Sequence, residues 1–123
     1  MLKEATGGLA YALYGNTSTT RPAGFLNIAS DLDVTGPAAL ALNAWSHLAM
    51  TFDGTTMRLY VNGTQVATRA ASGSARSSTA PLRFGGNTVW AEWFTGRLDE
   101  LRVYDRVLTA ADVQADMSRP ITG

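Results

Sequence analysis

Apolar and polar residues alternate through the middle of the chain with the period of two that is typical of a half-buried β-strand. Residues 47–52, 57–61 and 64–68 show this alternation, and Asp53-Gly54 and Asn62-Gly63 separate them. An Asn-Gly pair between alternating runs favours a type I′ hairpin, because both central residues of that turn need a positive φ. The pattern therefore predicts a three-stranded antiparallel meander.

Shorter runs of the same kind flank the meander on both sides. Residues 8–14 and 24–29 precede it, and residues 82–85 and 93–107 follow it, the last as a longer strand region. Ser-, Gly- and Thr-rich stretches between these runs are typical of loops. About eight short strands with frequent turns predict an all-β antiparallel sandwich, with residues 1–123 forming one domain.

A short helix of about two turns is predicted near the end of the chain. Thr109 has the side chain of an N-cap, and Asp112 stands three residues later, which approximates a capping box. Leu108 and Val113 occupy the two positions of a hydrophobic staple, and Pro120 ends the segment. Because two turns are not stable alone in water, we expect this helix to dock on a sheet.

Composition narrows the possible chemistry. The 123 residues contain ten Lys+Arg, ten Asp+Glu, no Cys and one histidine, His47. Disulfides, thiolate metal sites and histidine clusters are therefore excluded. A balanced charge predicts no nucleic-acid partner, and no apolar run approaches the ~20 residues of a membrane span.

Two blocks of sequence resemble a known family. Residues 45–63 contain Trp-Ser-His-Leu-Ala-Met-Thr-Phe-Asp-Gly and Met-Arg-Leu-Tyr-Val-Asn-Gly, and residues 94–104 read Phe-Thr-Gly-Arg-Leu-Asp-Glu-Leu-Arg-Val-Tyr. Both blocks, in this order, are similar to bacterial laminin G-like domains of the concanavalin A-like lectin/glucanase superfamily. The resemblance implies a jelly-roll sandwich of two antiparallel sheets.

The resemblance also reveals a departure at the N-terminus. Family domains begin with several strands before the point that matches residues 2–4, so the domain is expected to be N-terminally shortened. The strand at residues 97–104 would then lack a neighbour, and an open sheet edge favours pairing with another chain. We expect a homo-oligomer that forms through this edge; a fragment that rearranges internally is the alternative.

Asp99 is the candidate metal ligand. Strand alternation places its carboxylate on the same face as Leu101 and Val103, where a charge is costly unless it is paired or bound to a metal. In similar domains an acidic residue at this place helps to hold a structural Ca²⁺, so the resemblance implies calcium as a possible cofactor. The alternative is a carboxylate that pairs with an arginine or accepts loop N–H groups.

Two other acidic residues and the histidine carry less specific signals. Asp31 and Asp33 would point to the same side of an extended segment, but the spacing does not match an EF-hand loop. We expect them to be solvated turn acids. His47 is expected to make a structural hydrogen bond, since a lone histidine gives no catalytic pattern.

Aromatic side chains supply the candidate ligand site, because a flat ring offers apolar contact to a sugar. The candidates are Trp90, Glu92, Trp93, Tyr60 and Arg58. For each ring, burial in the core or in a subunit interface is the alternative. Phe94 and Trp45 are expected in the core.

The function that follows is non-catalytic. No strand carries the closely spaced carboxylates that glycoside hydrolysis needs, and no nucleophile or phosphate motif occurs. Together with the resemblance, this predicts a carbohydrate-binding or adhesive module of a secreted bacterial protein, with a carbohydrate or an extracellular partner. The alternative is a self-associating structural unit without a sugar site, and a glycoside hydrolase is the least supported interpretation.

Overall fold

Antiparallel strands dominate the computed structural model, which describes residues 1–122. The elements in this part of the chain are β1 (Leu2–Ala5), β2 (Gly8–Tyr14), β3 (Ala23–Asn27), β4 (Asp31–Thr35), β5 (Leu48–Phe52), β6 (Thr56–Val61), β7 (Thr64–Ala70), β8 (Leu82–Arg83), β9 (Gly86–Asn87), β10 (Glu92–Trp93) and α1 (Ala110–Met117). A five-stranded sheet has the order β4-β3-β2-β1-β8, a three-stranded sheet the order β5-β6-β7, and β9 pairs with β10. The predicted all-β sandwich with one short helix is confirmed.

The three-stranded sheet is the predicted meander. Val61 pairs with Thr64 across the β6–β7 turn, in which Asn62 and Gly63 have φ values of 50° and 76°. The Asn62 side chain also accepts a hydrogen bond from the His47 backbone N–H at 2.9 Å, so it links this turn to the start of β5. The type of hairpin and its position are both as the Asn-Gly pair predicts.

The main core lies between the two sheets. Its buried side chains are Leu26 and Val34 from the five-stranded sheet, Met57 and Leu59 from the meander, and Ala71. Burying a side chain of this size stabilises the fold by roughly 1.5–3 kcal/mol. The sheets approach closely at Gly24, where an added Cβ would lie 2.3 Å from the Met50 Sδ.

The opposite face of the five-stranded sheet carries a second cluster. Leu2, Leu9 and Ala12 are buried there, with Tyr14 and Phe25 packed beside them. Phe25 and Leu26 are adjacent in β3 and so point to opposite faces of the sheet. Part of this face is therefore buried. The segment that contains β9 and β10 lies over it, and Glu92 of β10 bonds to the Tyr14 hydroxyl.

Helix α1 begins as the sequence predicts. The Thr109 side chain accepts from the Asp112 N–H, and the Asp112 carboxylate accepts from the Thr109 N–H, which completes a capping box. Leu108 and Val113 are buried against Tyr60 of β6. The helix therefore docks on the face of the meander that points away from the main core.

The predicted long strand at residues 93–107 is wrong except for its first residue. Residues 95–107, the closing segment, make no backbone–backbone hydrogen bond with any described residue. Glu100 interrupts the extended backbone with a φ of 53°. A strand needs a neighbour that completes its ladder, and no described strand lies beside this segment.

Candidate functional site

The β9–β10 hairpin presents two exposed indole rings. Gly86 pairs with Trp93 and Asn87 with Glu92, and residues 88–91 connect the strands. We call this unit, residues 86–93, the aromatic hairpin. Trp90 is 46% exposed and Trp93 is 71% exposed, so neither ring is buried in the core.

A glycine lies directly beneath one of the rings. A Cβ added to Gly86 would stand 2.4 Å from Cε3 of Trp93, a distance that real Cβ atoms do not adopt. The absence of a side chain at Gly86 therefore lets the Trp93 indole rest on the backbone of β9. The rest of the ring remains at the surface as a flat apolar area.

Glu92 connects the aromatic hairpin to the five-stranded sheet. Its Oε2 accepts hydrogen bonds from the Tyr14 hydroxyl and from Nδ2 of Asn87, both at 2.9 Å. Burial, followed by the adjacent Glu92 carboxylate, raises the pKa of the Tyr14 hydroxyl far above its usual range. Tyr14 therefore stays a proton donor, and Glu92 stays fixed as its acceptor.

Asn87 fixes the connecting loop from the other side. This residue is 2% exposed, and its Oδ1 accepts from the Trp90 backbone N–H at 2.8 Å. One buried amide thus bonds both to the Glu92 carboxylate and to the turn that carries Trp90. The two rings are consequently held on a braced hairpin.

Glu4 forms a second anchor below the hairpin. Its Oε1 accepts from Nε of Arg83 at 2.7 Å and from the hydroxyl of Thr88 at 3.2 Å. Burial alone would raise the pKa of the Glu4 carboxyl, but hydrogen bonds from Thr88 and Arg83 outweigh it, so the pKa lies below its usual value. Glu4 therefore stays ionised, and the guanidinium group of Arg83 balances its negative charge.

A shallow cleft of about 290 Å³ runs beside the hairpin and is lined by residues 82–88 and Trp93. Arg83 forms one polar boundary of this cleft, and only its Nε is bonded to Glu4. An aromatic surface beside fixed donors and acceptors is suited to a ligand with apolar faces and hydroxyl groups.

A family model for the concanavalin A-like lectin/glucanases superfamily, of the laminin G-like type, matches residues 4–114. That range is most of the chain. The chain belongs to the laminin G-like family. No match was found among curated proteins.

The fold of this laminin G-like domain is also similar to a solved structure. An S-layer domain-containing protein from Clostridium thermocellum ATCC 27405 superposes with a TM-score of 0.58 at 21% sequence identity. The match covers 79% of this chain and 51% of that chain, so the chain spans about half the length of the solved structure. At this identity the likeness shows the fold alone.

Three of the five predicted ligand residues of this laminin G-like domain come together, and two do not. Trp90, Glu92 and Trp93 share the aromatic hairpin, but Tyr60 and Arg58 belong to the meander. Tyr60 is 2% exposed beneath α1, so its prediction as an exposed ligand platform is wrong. In β6 Tyr60 lies on the face opposite the buried Met57 and Leu59, and α1 covers that face.

Arg58 has a structural partner. Its Nη1 pairs with Oδ2 of Asp53 at 2.6 Å in the turn between β5 and β6. Hydrogen bonds from Arg58 and then from Thr55 hold the pKa of the Asp53 carboxyl well below its usual range. Arg58 therefore contributes to a turn of the laminin G-like meander, at a distance in sequence and in a different sheet from the aromatic hairpin.

Asp99 lies in the exposed closing segment, not on a buried strand face. Its Oδ1 accepts the backbone N–H of Glu100 at 2.8 Å, which resembles the loop-bonded alternative considered for it. Within residues 1–122, no three His, Asp or Glu side chains form a group that fits a metal ion. Ca²⁺ needs six to eight oxygen ligands, which also include backbone carbonyl groups and water, so calcium binding by Asp99 stays a prediction.

Asp31 and Asp33 belong to β4, so their prediction as turn residues is wrong, but both remain solvated: Asp31 is exposed and the Asp33 side chain is 47% exposed. Asp31 accepts from Nδ2 of Asn27 at 2.6 Å, and Asp33 pairs with Nη1 of Arg69 at 2.6 Å. The Asp33–Arg69 pair joins β4 to β7 across the two sheets.

Three further expectations for single side chains are wrong. Trp45 is 65% exposed and Phe94 is 52% exposed, although both were expected in the core. The Nδ1 of His47 is buried without a hydrogen-bond partner among the described residues, whereas a structural bond was expected. For Phe94 the cause is that strand alternation does not specify which other element covers a face.

The polar anchors of the hairpin were not recognised from the sequence. Glu4 and Tyr14 lie 84 and 78 positions before their partners Thr88 and Glu92. No local spacing indicates pairs at such separations. Glu4 and Tyr14 come close to the hairpin through the strand order of the five-stranded sheet, which places β1 beside β8 and β2 beside β1.

Proposed function

We propose that this chain is a non-catalytic carbohydrate-binding or adhesive module of a secreted bacterial protein, with its sugar site at the aromatic hairpin. The observation that supports the proposal is the Trp93 indole, which rests on Gly86 and is 71% exposed. A ring supported from below loses little conformational freedom when a ligand stacks on it. Family membership supports the same class of ligand, although fold alone does not assign one.

The chemistry around the ring suits a pyranose. The C–H groups of a sugar face pack against the indole, and its hydroxyl groups bond to charged or amide groups beside it. Arg83 offers its terminal nitrogens on the cleft side, because Nε alone bonds to Glu4. Glu92 is adjacent to Trp93 in β10 and points to the opposite face, where Tyr14 and Asn87 bond to it, so it supports the hairpin beneath the proposed site and does not line the cleft.

Binding is tested first on an array of neutral and uronic-acid oligosaccharides, and then by fluorescence titration with the strongest array binder. Trp93→Ala is expected to weaken binding at least tenfold, since a buried aromatic contact is worth more than about 1.4 kcal/mol. Trp45→Ala is the matched control, because Trp45 is also largely exposed but lies before the meander. An array without binders, or equal losses in both variants, contradicts the proposed site.

A second pair of variants tests the support beneath the ring while leaving the Trp93 side chain itself unchanged. Gly86→Ala brings a Cβ into the Trp93 indole and is expected to displace it and weaken sugar binding. Gly8→Ala is the control, since an added Cβ there meets no atom within 4 Å. Equal affinity in the two variants would show that the position of the Trp93 indole on Gly86 does not affect sugar binding.

Calcium and an extracellular location belong to the same proposal. Family membership and the S-layer domain-containing neighbour support a site outside the cell or on its surface. Among residues 1–122, no helix has the length and apolar character needed to cross a membrane. The role of calcium is tested by repeating the titration in excess Ca²⁺ and in chelator, with Asp99→Asn as the variant that should abolish any difference.

A self-associating structural unit is the second candidate function. Ten large apolar or aromatic side chains between residues 84 and 107 are at least 39% exposed: Phe84, Val89, Trp90, Trp93, Phe94, Leu98, Leu101, Val103, Tyr104 and Val107. A concentration of this kind marks an interaction surface. Homo-oligomer formation through the open strand edge of the closing segment would cover part of it.

A further inference from the structure

The cleft beside the aromatic hairpin has one charged side chain in its lining. That residue is Arg83, and the other lining residues, which are Trp93 and the remainder of residues 82–88, are uncharged. A ligand that fills the cleft therefore meets the Trp93 indole and a single guanidinium group.

Arg83 has donors that the fold does not use. A guanidinium group carries five N–H donors. The Nε–H of Arg83 donates to Oε1 of Glu4 at 2.7 Å, whereas Nη1 and Nη2 donate to no residue within 1–122. The Arg83 side chain is 40% exposed. Its two terminal nitrogens are therefore available to a ligand that approaches end-on.

Glu4 fixes the guanidinium group from outside the cleft. Its residue is 7% exposed and is not part of the cleft lining. The oxygen that bonds to Arg83 also accepts from the Thr88 backbone N–H at 3.3 Å and from the Thr88 hydroxyl at 3.2 Å. One buried carboxylate thus connects Arg83 to the loop that follows β9. Arg83 consequently needs little reorganisation when a ligand binds.

Two backbone donors beside Arg83 also lack acceptors. Phe84 and Gly85 line the same cleft, and their N–H groups donate to no backbone carbonyl in the part of the chain that the structure describes. Gly85 has a φ of 74°, so the backbone turns at this point. Unpaired donors next to a cation suit a ligand that is rich in acceptor oxygens.

We infer that the cleft selects a sugar that carries a carboxylate, a uronic acid, and that Arg83 is the residue that determines this selectivity. This inference rests on the sugar site proposed above and specifies its ligand. The sugar ring stacks on the Trp93 indole, and its carboxylate accepts two parallel hydrogen bonds from Nη1 and Nη2 of Arg83. A planar carboxylate matches the planar guanidinium fork, which the hydroxymethyl group of a neutral sugar does not.

Two carboxylates of the protein lie near the cleft without lining it. Glu4 is paired with Arg83, and Glu92 accepts from Tyr14 and Asn87 on the opposite face of β10. Both lower the positive potential around the site. The selectivity therefore depends on direct contact with the two free nitrogens of Arg83 and not on net charge.

Methyl esterification of the ligand tests the inference on the unaltered chain. Tetrasaccharides of glucuronate, galacturonate and mannuronate are each compared with their methyl esters by fluorescence titration. The ester keeps the ring and its hydroxyl groups but loses the charge. In at least one of the three pairs the acid should bind about tenfold more tightly than its ester, because hydrogen bonds to charged groups are stronger than neutral ones.

Arg83→Gln should abolish this preference. The acid should then bind as weakly as the ester, and ester binding should stay within about twofold of that of the unaltered chain. Arg58→Gln is the matched control, since Arg58 also pairs with a carboxylate, at 2.6 Å, but lies in the meander. The control should keep the preference for the acid. Circular dichroism checks that both variants are folded, and the ester comparison itself needs no variant.

The outcomes separate the role of Arg83 from the sugar site. If acid and ester bind equally, or if neutral sugars alone bind, the inference is overturned while a site at which Trp93→Ala weakens binding remains. A preference for the acid that survives in Arg83→Gln also overturns the inference. If no tetrasaccharide and no sugar on the array binds, the proposed sugar site fails together with it.

Discussion

The meander and the closing segment use similar sequences in opposite ways. Residues 57–61 of β6 alternate apolar and polar residues, and Met57 and Leu59 of that strand are completely buried. Residues 97–104 alternate as clearly, yet Leu101 and Val103 are about half exposed and form no strand. The difference is the neighbour: β6 has β5 and β7 on its two sides, and the closing segment has neither. Periodicity therefore shows which residues of a segment would share a face, but the segment forms a strand only where a partner strand lies beside it.

The largest contrast is expected between two leucines. Leu59→Ala removes a fully buried side chain and should destabilise the fold by about 2–5 kcal/mol, whereas Leu101→Ala should change it by less than about 0.5 kcal/mol. Urea unfolding at a dilute concentration, where the chain is monomeric, measures both. Comparable losses would mean that the closing segment contributes to the core, and the contrast between the two regions would fail.

Helix α1 joins the two regions, and its cap gives the next largest effect. Thr109→Ala removes the hydroxyl that accepts the Asp112 N–H and should cost about 1 kcal/mol. Because Asp116 of the same helix holds Arg102 and Tyr104, fraying should also release the closing segment. Urea unfolding and proteolysis within residues 95–107 measure the two effects.

Thr109→Ser is the matched control for the cap. Serine retains the hydroxyl, so both stability and protease resistance should stay close to those of the unaltered chain. If the serine variant is cleaved as fast as the alanine variant, the hydroxyl is not what holds the helix.

Local patterns predicted the fold wherever the interacting residues are close in sequence. The Asn62-Gly63 turn and the Thr109–Asp112 cap join residues one to three positions apart, and both are confirmed. The strand at residues 93–107 is wrong because its formation depends on a neighbour, which periodicity cannot supply. Long-range pairing is a property of topology, and a single sequence does not encode it locally.

The same limit explains the partial prediction of the candidate site. Trp90, Glu92 and Trp93 were recognised because they lie together in the sequence, and they remain together on the hairpin. Glu4 and Tyr14, which fix that hairpin from a distant sheet, left no local signal. The burial of Tyr60 also left no local signal, because the helix that covers it begins fifty residues later.

The smallest expected effect concerns His47, where the meander contacts the region of the helix and the closing segment. Burial lowers the pKa of His47 below its usual value of about 6.5; the Asp116 carboxylate partly offsets this effect, and Arg102 adds to it. The unfolded chain therefore binds the proton at a higher pH than the folded chain does. Stability should be fully present above about pH 6.5 and should decrease as the pH falls through the lowered folded-state value.

The comparison with His47→Gln isolates this pH effect, because His47 is the only histidine and the N-terminal amine of Met1, whose pKa burial also lowers, is present in both chains. Urea unfolding of the unaltered chain between pH 8 and pH 5 should show a modest loss of stability, and the slope should be flatter in His47→Gln. If the free energy of unfolding falls with pH at the same slope in both chains, protonation of His47 does not weaken the contact between the meander and the helix. A steeper loss in the unaltered chain would instead show that the buried Nδ1, which has no partner among the described residues, makes this junction sensitive to protonation.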